Sequence, residues 1–193
     1  MRLEILLEEP SAERALEILL PKMLPGDIEF HLHPHNGKND LLKQLGAKLR
    51  AYSRWLPPDA WVVVMCDQDR ADCRKLKQDI EQCAQAAGLS RFLARIAVTE
   101  LESWFLGDPQ AVETAYPRVR ARSWQDKAEF RNPDEISDAW ETLDRLLVRN
   151  GYTGGYQKIL GAESIAHNMD VDGNRSRSFQ VFRDGLRRIT SSN

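Results

Sequence analysis

Residues 61–66, WVVVMC, limit what this chain can become more than any other stretch. Five apolar residues, Trp61 to Met65, follow one another without a polar interruption, and three of them are valines. A strand with one wet face alternates apolar and polar side chains, whereas a run without alternation is buried on both faces. Such a strand belongs inside a parallel sheet with helices on either side, so the rest of the chain must supply both.

It does so in order. RLEILL (2–7) reads as a strand stopped by Pro10 and Ser11. Ser11 can cap a helix in which Ala15, Leu16, Leu19, Leu20 and Met23 recur at helical spacing. IEFHLH (28–33) alternates as a strand does, and residues 39–55 follow as a helix with Leu41, Leu42, Leu45, Leu49 and Tyr52 on one stripe. After WVVVMC come a helix over 71–87 that ends at Gly88 and a fourth strand, FLARIAV (92–98). A helical segment then starts near Glu100 and breaks at Gly107–Pro109. This βαβαβαβα pattern predicts an α/β protein with a parallel sheet of about four strands flanked by helices. Beyond about Tyr116 the character changes. One helix is predicted over 133–150, where Ile136, Trp140, Leu143 and Leu147 share a face. A stretch rich in Gly and Asn (151–173) and a last helix (178–189) follow. The expected organisation is an α/β core over 1–115 and a mostly helical C-terminal extension over 116–193 packed on it.

In a parallel sheet the C-terminal ends of the strands share one edge, and ligands bind there. Carboxylates crowd that edge. The first strand delivers Glu8 and Glu9, the third Asp67 and Asp69 with Asp72 just beyond, and the fourth Glu100 and Glu102. Any one of them would also serve as a helix cap or first-turn acid, Asp69 and Asp72 above all. Together they would repel one another and resist ionisation unless a cation stood among them. A hard divalent ion suits such oxygen donors: Mg²⁺, with Mn²⁺ as the alternative. Glu100 lies nearer the strand end and ranks ahead of Glu102.

These residues resemble the Toprim domain of topoisomerases, bacterial primases and nucleases of the overcoming-lysogenization-defect type. The matching motifs are LLEEPSAERAL, with Glu8, and VVVMCDQDRADC, with Asp67 and Asp69. The segments EEPSAERALEILLPKML, HPHNGKNDLLKQL, VTELESWFLGDPQAV and NRSRSF extend the likeness over most of the chain, to a family of small bacterial Toprim-like proteins. The resemblance implies that Glu8 acts as general acid/base and that Asp67 and Asp69 hold Mg²⁺. It also implies a neighbouring AAA or SMC-like ATPase as partner and a role in phage defence. In that family a glycine usually follows the glutamate. Glu9 stands there instead, which leaves Glu8 and Glu9 both as candidates to face the site. No domain with a tyrosine nucleophile is evident, so hydrolysis by metal-activated water fits better than topoisomerase chemistry.

Positive charge and histidine supply the remaining candidates. HLHPH places His31 and His33 on one side of a strand, yet no further soft ligand at zinc-site spacing accompanies them. His35 ends the same strand, where it could touch a phosphate. Lys38, in NGKND, could hold a substrate phosphate, although the loop lacks Walker A spacing. Lys158, Arg175 and Arg177 could contact a nucleic-acid backbone or pair with the acids, if the extension folds back over the sheet edge. Trp104 and Phe105 are expected in the core. The formal net charge of -2 gives no general attraction to nucleic acid. Three cysteines without CxxC spacing argue for a reducing cytoplasm. No apolar run is long enough to span a bilayer, and the acidic N-terminus does not resemble a secretory signal. Two functions stand in view: a Mg²⁺-dependent phosphodiester-cleaving nuclease or nuclease subunit, and a non-catalytic, partner-dependent binding subunit of an ATPase complex.

Overall fold

The uninterrupted apolar strand lies inside the sheet and feeds two cores at once. In the computed structural model, which describes residues 1–191, the strands are β1 (Arg2–Leu7), β2 (Glu29–Pro34), β3 (Trp61–Asp67) and β4 (Phe92–Ala97). They form one sheet in the order β2-β1-β3-β4, and every pairing is parallel. Val63 and Met65 of β3 face one core, while Val62, Val64 and Cys66 face the other. That division accounts for the lack of alternation, because neither face of β3 meets water.

Each face is covered by its own helices. Helices α2 (Lys38–Trp55) and α3 (Cys73–Ala86) close one side through Leu41, Leu45, Leu49, Leu76 and Ile80. Helix α1 (Pro10–Met23) closes the other, together with α4 (Glu102–Leu106), α5 (Pro109–Ala115), α6 (Ala139–Arg149), α7 (Lys158–Ala166) and α8 (Arg177–Thr190). The helical C-terminal region thus shares the larger core with β1, β3 and α1. Among the described residues, no helix is long and apolar enough to cross a membrane.

Several expectations shift locally. Pro10 opens α1 at its first turn, where a missing N–H costs nothing, and the cap position is Glu9, whose carboxylate accepts the Ser11 hydroxyl. Leu42 leaves its predicted stripe and is exposed. The helix predicted from residue 133 begins only at Ala139. Asp134 accounts for the delay: it accepts the Ser176 hydroxyl at 2.6 Å and the Ser178 N–H at 2.7 Å, which fixes this segment in a short 3-10 turn. Helix α7 falls in the Gly- and Asn-rich stretch and shows no amphipathic stripe. It packs chiefly on α1, and Gly161 allows it close to the Tyr156 ring, with which a Cβ would clash.

Candidate functional site

The strand register brings the acids together. Leu7 pairs with Met65 and Asp67 with Ala97, so the chain leaves β1, β3 and β4 on one edge. Glu8 turns inward and accepts the Asp67 N–H at 3.0 Å, tying the ends of β1 and β3. Glu9 turns to the other flank, where Lys158 from α7 lies 3.1 Å from both of its oxygens. The two acids thus part: Glu8 meets Asp67, and Glu9 meets the C-terminal region. Lys158 is the cation that the folded-back extension was expected to supply.

Lys38, in the first turn of α2, holds the opposite flank. It forms an ion pair with Asp69 and donates to the Gln68 carbonyl at 3.2 Å. Asp69 has a positive φ of 50°, as does Thr99 at 61°, and the Asp69 N–H reaches the Thr99 carbonyl at 2.8 Å. Two non-glycine residues in left-handed conformation thus hold the loops after β3 and β4 against each other. Local strain of this kind is characteristic of functional edges.

Burial distinguishes the carboxylates. Asp67 is almost wholly buried, and desolvation, reinforced by Glu8 and Glu102, holds its carboxyl well above the ordinary carboxylate range. Glu102 is completely buried, and neither of its oxygens has a hydrogen-bond partner among the described residues. Burial pushes its carboxyl up to about 7, with Lys158 pulling the other way. Glu8 is also raised, first by burial, against the opposing Asp67 N–H. Burial works against the charge of Lys158, but Glu102 and Glu9 prevail and raise its pKa.

Other candidates go elsewhere. Glu100 and Glu102 differ in setting: Glu100 accepts the Trp140 N–H at 2.8 Å and is raised by burial, whereas Glu102 is fully buried and its charge raises Asp67. Asp72 caps α3 by accepting the Arg74 and Lys75 N–H groups, and those bonds lower its pKa. His35 is buried between the Leu7 carbonyl and Lys48, each 2.8 Å away, so it braces β1 against α2 and presents no surface to a nucleic acid. His31 and His33 pair with Glu29 and Glu4, and no zinc site forms from them. In NRSRSF the inward residues are Asn174, Ser176 and Ser178. Asn174 donates to the Trp104 carbonyl, and Ser178 accepts the Trp104 indole N–H. Arg175 and Arg177 alternate with them and are exposed, Arg175 near the Gln125 carbonyl and Arg177 near Gln180. Trp104 and Phe105 are core residues, as expected. Tyr156, absent from the sequence reading, is buried beside Glu102, whose charge adds to burial in raising the phenol's pKa. Its signal was its place in GGYQK, two residues before Lys158.

The donor chemistry suits a hard divalent ion. Every acid at the edge offers oxygen, and Glu102 holds two buried acceptors without partners. Among the described residues, however, no three His, Cys, Asp or Glu side chains already stand in ligating geometry. Lys38 and Lys158 serve as the counterions instead.

Fold and site together define a class: a parallel α/β domain whose strand ends present a partly buried carboxylate cluster between two lysines. A family model described as Domain of unknown function (DUF4276) matches residues 7–187, and the chain belongs to that family. No curated protein and no solved structure matches it.

Proposed function

We propose that this chain is a Toprim-like, Mg²⁺-dependent phosphodiester-cleaving protein, a nuclease or the nuclease subunit of a larger assembly. The observation that carries the reading is the bond from the Asp67 N–H to Glu8 at one sheet edge, with the buried Glu102 near enough for its charge to raise Asp67. Asp67, Asp69 and Glu8 would hold Mg²⁺ or Mn²⁺. When bound, the ion would activate a water and stabilise charge on the phosphate. Glu8, with its raised pKa and its position beside Asp67, is suited to carry a proton. Lys38 and Lys158 flank the acids and would receive phosphate oxygens as they release Asp69 and Glu9. The proposed substrate is a nucleic acid, and the proposed location a reducing cytoplasm, in keeping with three free cysteines. The role in phage defence and the AAA or SMC-like ATPase partner follow from the Toprim-like resemblance.

The test is calorimetry with Mg²⁺ and Mn²⁺ on the wild type and on an Asp67→Ala, Asp69→Ala double variant, followed by cleavage assays with Glu8→Gln. Binding lost in the double variant and cleavage lost in Glu8→Gln support the reading. Equal binding in both proteins, or full metal-dependent cleavage by Glu8→Gln, refutes it. One observation favours the second reading, a partner-dependent binding subunit: both lysines are paired with edge acids, and among the described residues no ligand set is preformed. Activity that appears only after co-purification with an ATPase would select it.

A further inference from the structure

A cavity of about 410 Å³ lies between the 150s loop, Tyr116 and α7. Its walls include Tyr116, Tyr152, Gly154, Gln157 and Leu160. Three observations mark it as more than a surface dent.

The aromatic wall is held in place. Tyr116 and Tyr152 meet edge to face, with ring centroids 5.1 Å apart at 82°. The Arg118 guanidinium sits 5.3 Å from the Tyr152 ring centre and donates to the Gly151 carbonyl at 2.9 Å. Asp144 accepts the Tyr156 N–H at 2.8 Å and leaves no room for a Cβ on Gly155, which has a positive φ of 62°. The loop is therefore anchored at both ends.

The cavity also carries apolar surface that the fold does not use. Leu160 is 60% exposed, the highest value among the exposed large hydrophobic residues, and it lines the cavity. Finally, the cavity is linked to the acids through the neighbours of its wall residues. Gln157 at its wall precedes Lys158, which is bound to Glu9. The Tyr156 ring, beside Glu102, and the Tyr116 hydroxyl both border Gly161; a Cβ there would lie 3.1 Å from that hydroxyl.

We propose that this cavity is a nucleobase subsite, which takes one unstacked base of the strand whose phosphate lies at Lys158. The inference rests on the phosphodiester reading above and deepens it. Tyr116, Tyr152 and Leu160 supply apolar and aromatic walls for a base, and Arg118 holds the Tyr152 ring and the Gly151 carbonyl in place. Gly154 brings bare backbone to the rim, and Gln157 offers an amide able to donate and accept. A base held here has left its stack, so the substrate is single-stranded or frayed at that position.

The experiment measures fluorescence anisotropy of two labelled pentamers in Ca²⁺: single-stranded pentathymidylate, and an abasic pentamer with the same number of phosphates. Two variants probe the cavity. In Gly154→Leu the new Cβ meets only the Gln157 amide, at 3.6 Å, so a bulky side chain starts at the cavity wall without a backbone clash at its Cβ. Tyr152→Leu removes one aromatic wall and keeps apolar bulk. The wild type should bind the base-bearing pentamer about tenfold more tightly than the abasic one, the scale of one base–aromatic stack. Both variants should lose that preference and keep the abasic affinity. Equal binding of the two pentamers by the wild type, or a preference that survives both variants, overturns the subsite. Abasic binding that still weakens in Lys38→Ala and Lys158→Ala would then leave the phosphodiester reading standing. Failure of the wild type to bind either pentamer overturns both.

Discussion

Replacing Glu102 with glutamine should remove a fall in stability that the wild type suffers between pH 4.5 and about 7. The Glu102 carboxyl moves from 4.5 to about 7 on folding, chiefly through burial. The folded state therefore binds this proton more tightly than the unfolded chain does. Below pH 4.5 both states are protonated and the folded protein buries a neutral carboxyl, which costs less than burying the carboxylate. As pH rises toward 7 the unfolded chain releases the proton first, and stability declines; above about 7 the folded protein carries a buried carboxylate. A shift of this size corresponds to about 3 kcal/mol at roughly 1.4 kcal/mol per pH unit. Glutamine copies the shape of the protonated acid and never ionises. The variant should converge on the wild type below about pH 4, exceed it by about 1 kcal/mol at pH 5, and exceed it by about 3 kcal/mol at pH 8. Asp67 strengthens the effect, because the loss of the Glu102 charge relieves its own raised pKa. Urea unfolding at pH 5, 6, 7 and 8, followed by the fluorescence of the buried Trp104 and Trp124, measures the difference. A gap between the two proteins that does not change with pH would refute the reasoning, since it would mean that Glu102 titrates alike in both states.

Other outcomes follow from single contacts. Asn174→Ala removes bonds to the Trp104 carbonyl and the Ser176 N–H in a buried setting and should cost about 2 kcal/mol by denaturant unfolding. The neighbouring Arg175→Ala should stay within about 0.5 kcal/mol of the wild type, because that side chain is exposed. Gly155→Ala combines a positive φ with a clash against Asp144 and should lower stability by about 1–3 kcal/mol, readable as a reduced thermal midpoint. Diethyl pyrocarbonate should modify the exposed His31 well before His35, which is buried and bonded at both ring nitrogens; mass spectrometry of a time course would show the order.

The primary structure is enough to specify the sheet. The unbroken run WVVVMC can be buried only between two layers, and the strands and helices around it obey periods of two and 3.6 that local residues set. It also determined that acids follow three strands, since parallel strands must end together. The setting of each acid depends on packing between distant elements. Glu100 and Glu102 are two residues apart and equivalent on paper, yet α6 offers an N–H to Glu100, and the packing of α4 and α7 buries Glu102 without a partner. NRSRSF looked like a basic patch because its arginines stand out in a sequence. The core instead uses its alternate residues, Asn174, Ser176 and Ser178, to bind Trp104 and Asp134. Helix α7 was hidden because its stabilisation comes from packing on α1 and not from an amphipathic stripe of its own. Lys158 reaches Glu9 across 149 positions of chain. Such a pairing leaves no local signature, because the distance between two side chains is set by how the layers stack, and periodicity records only which face each layer hides.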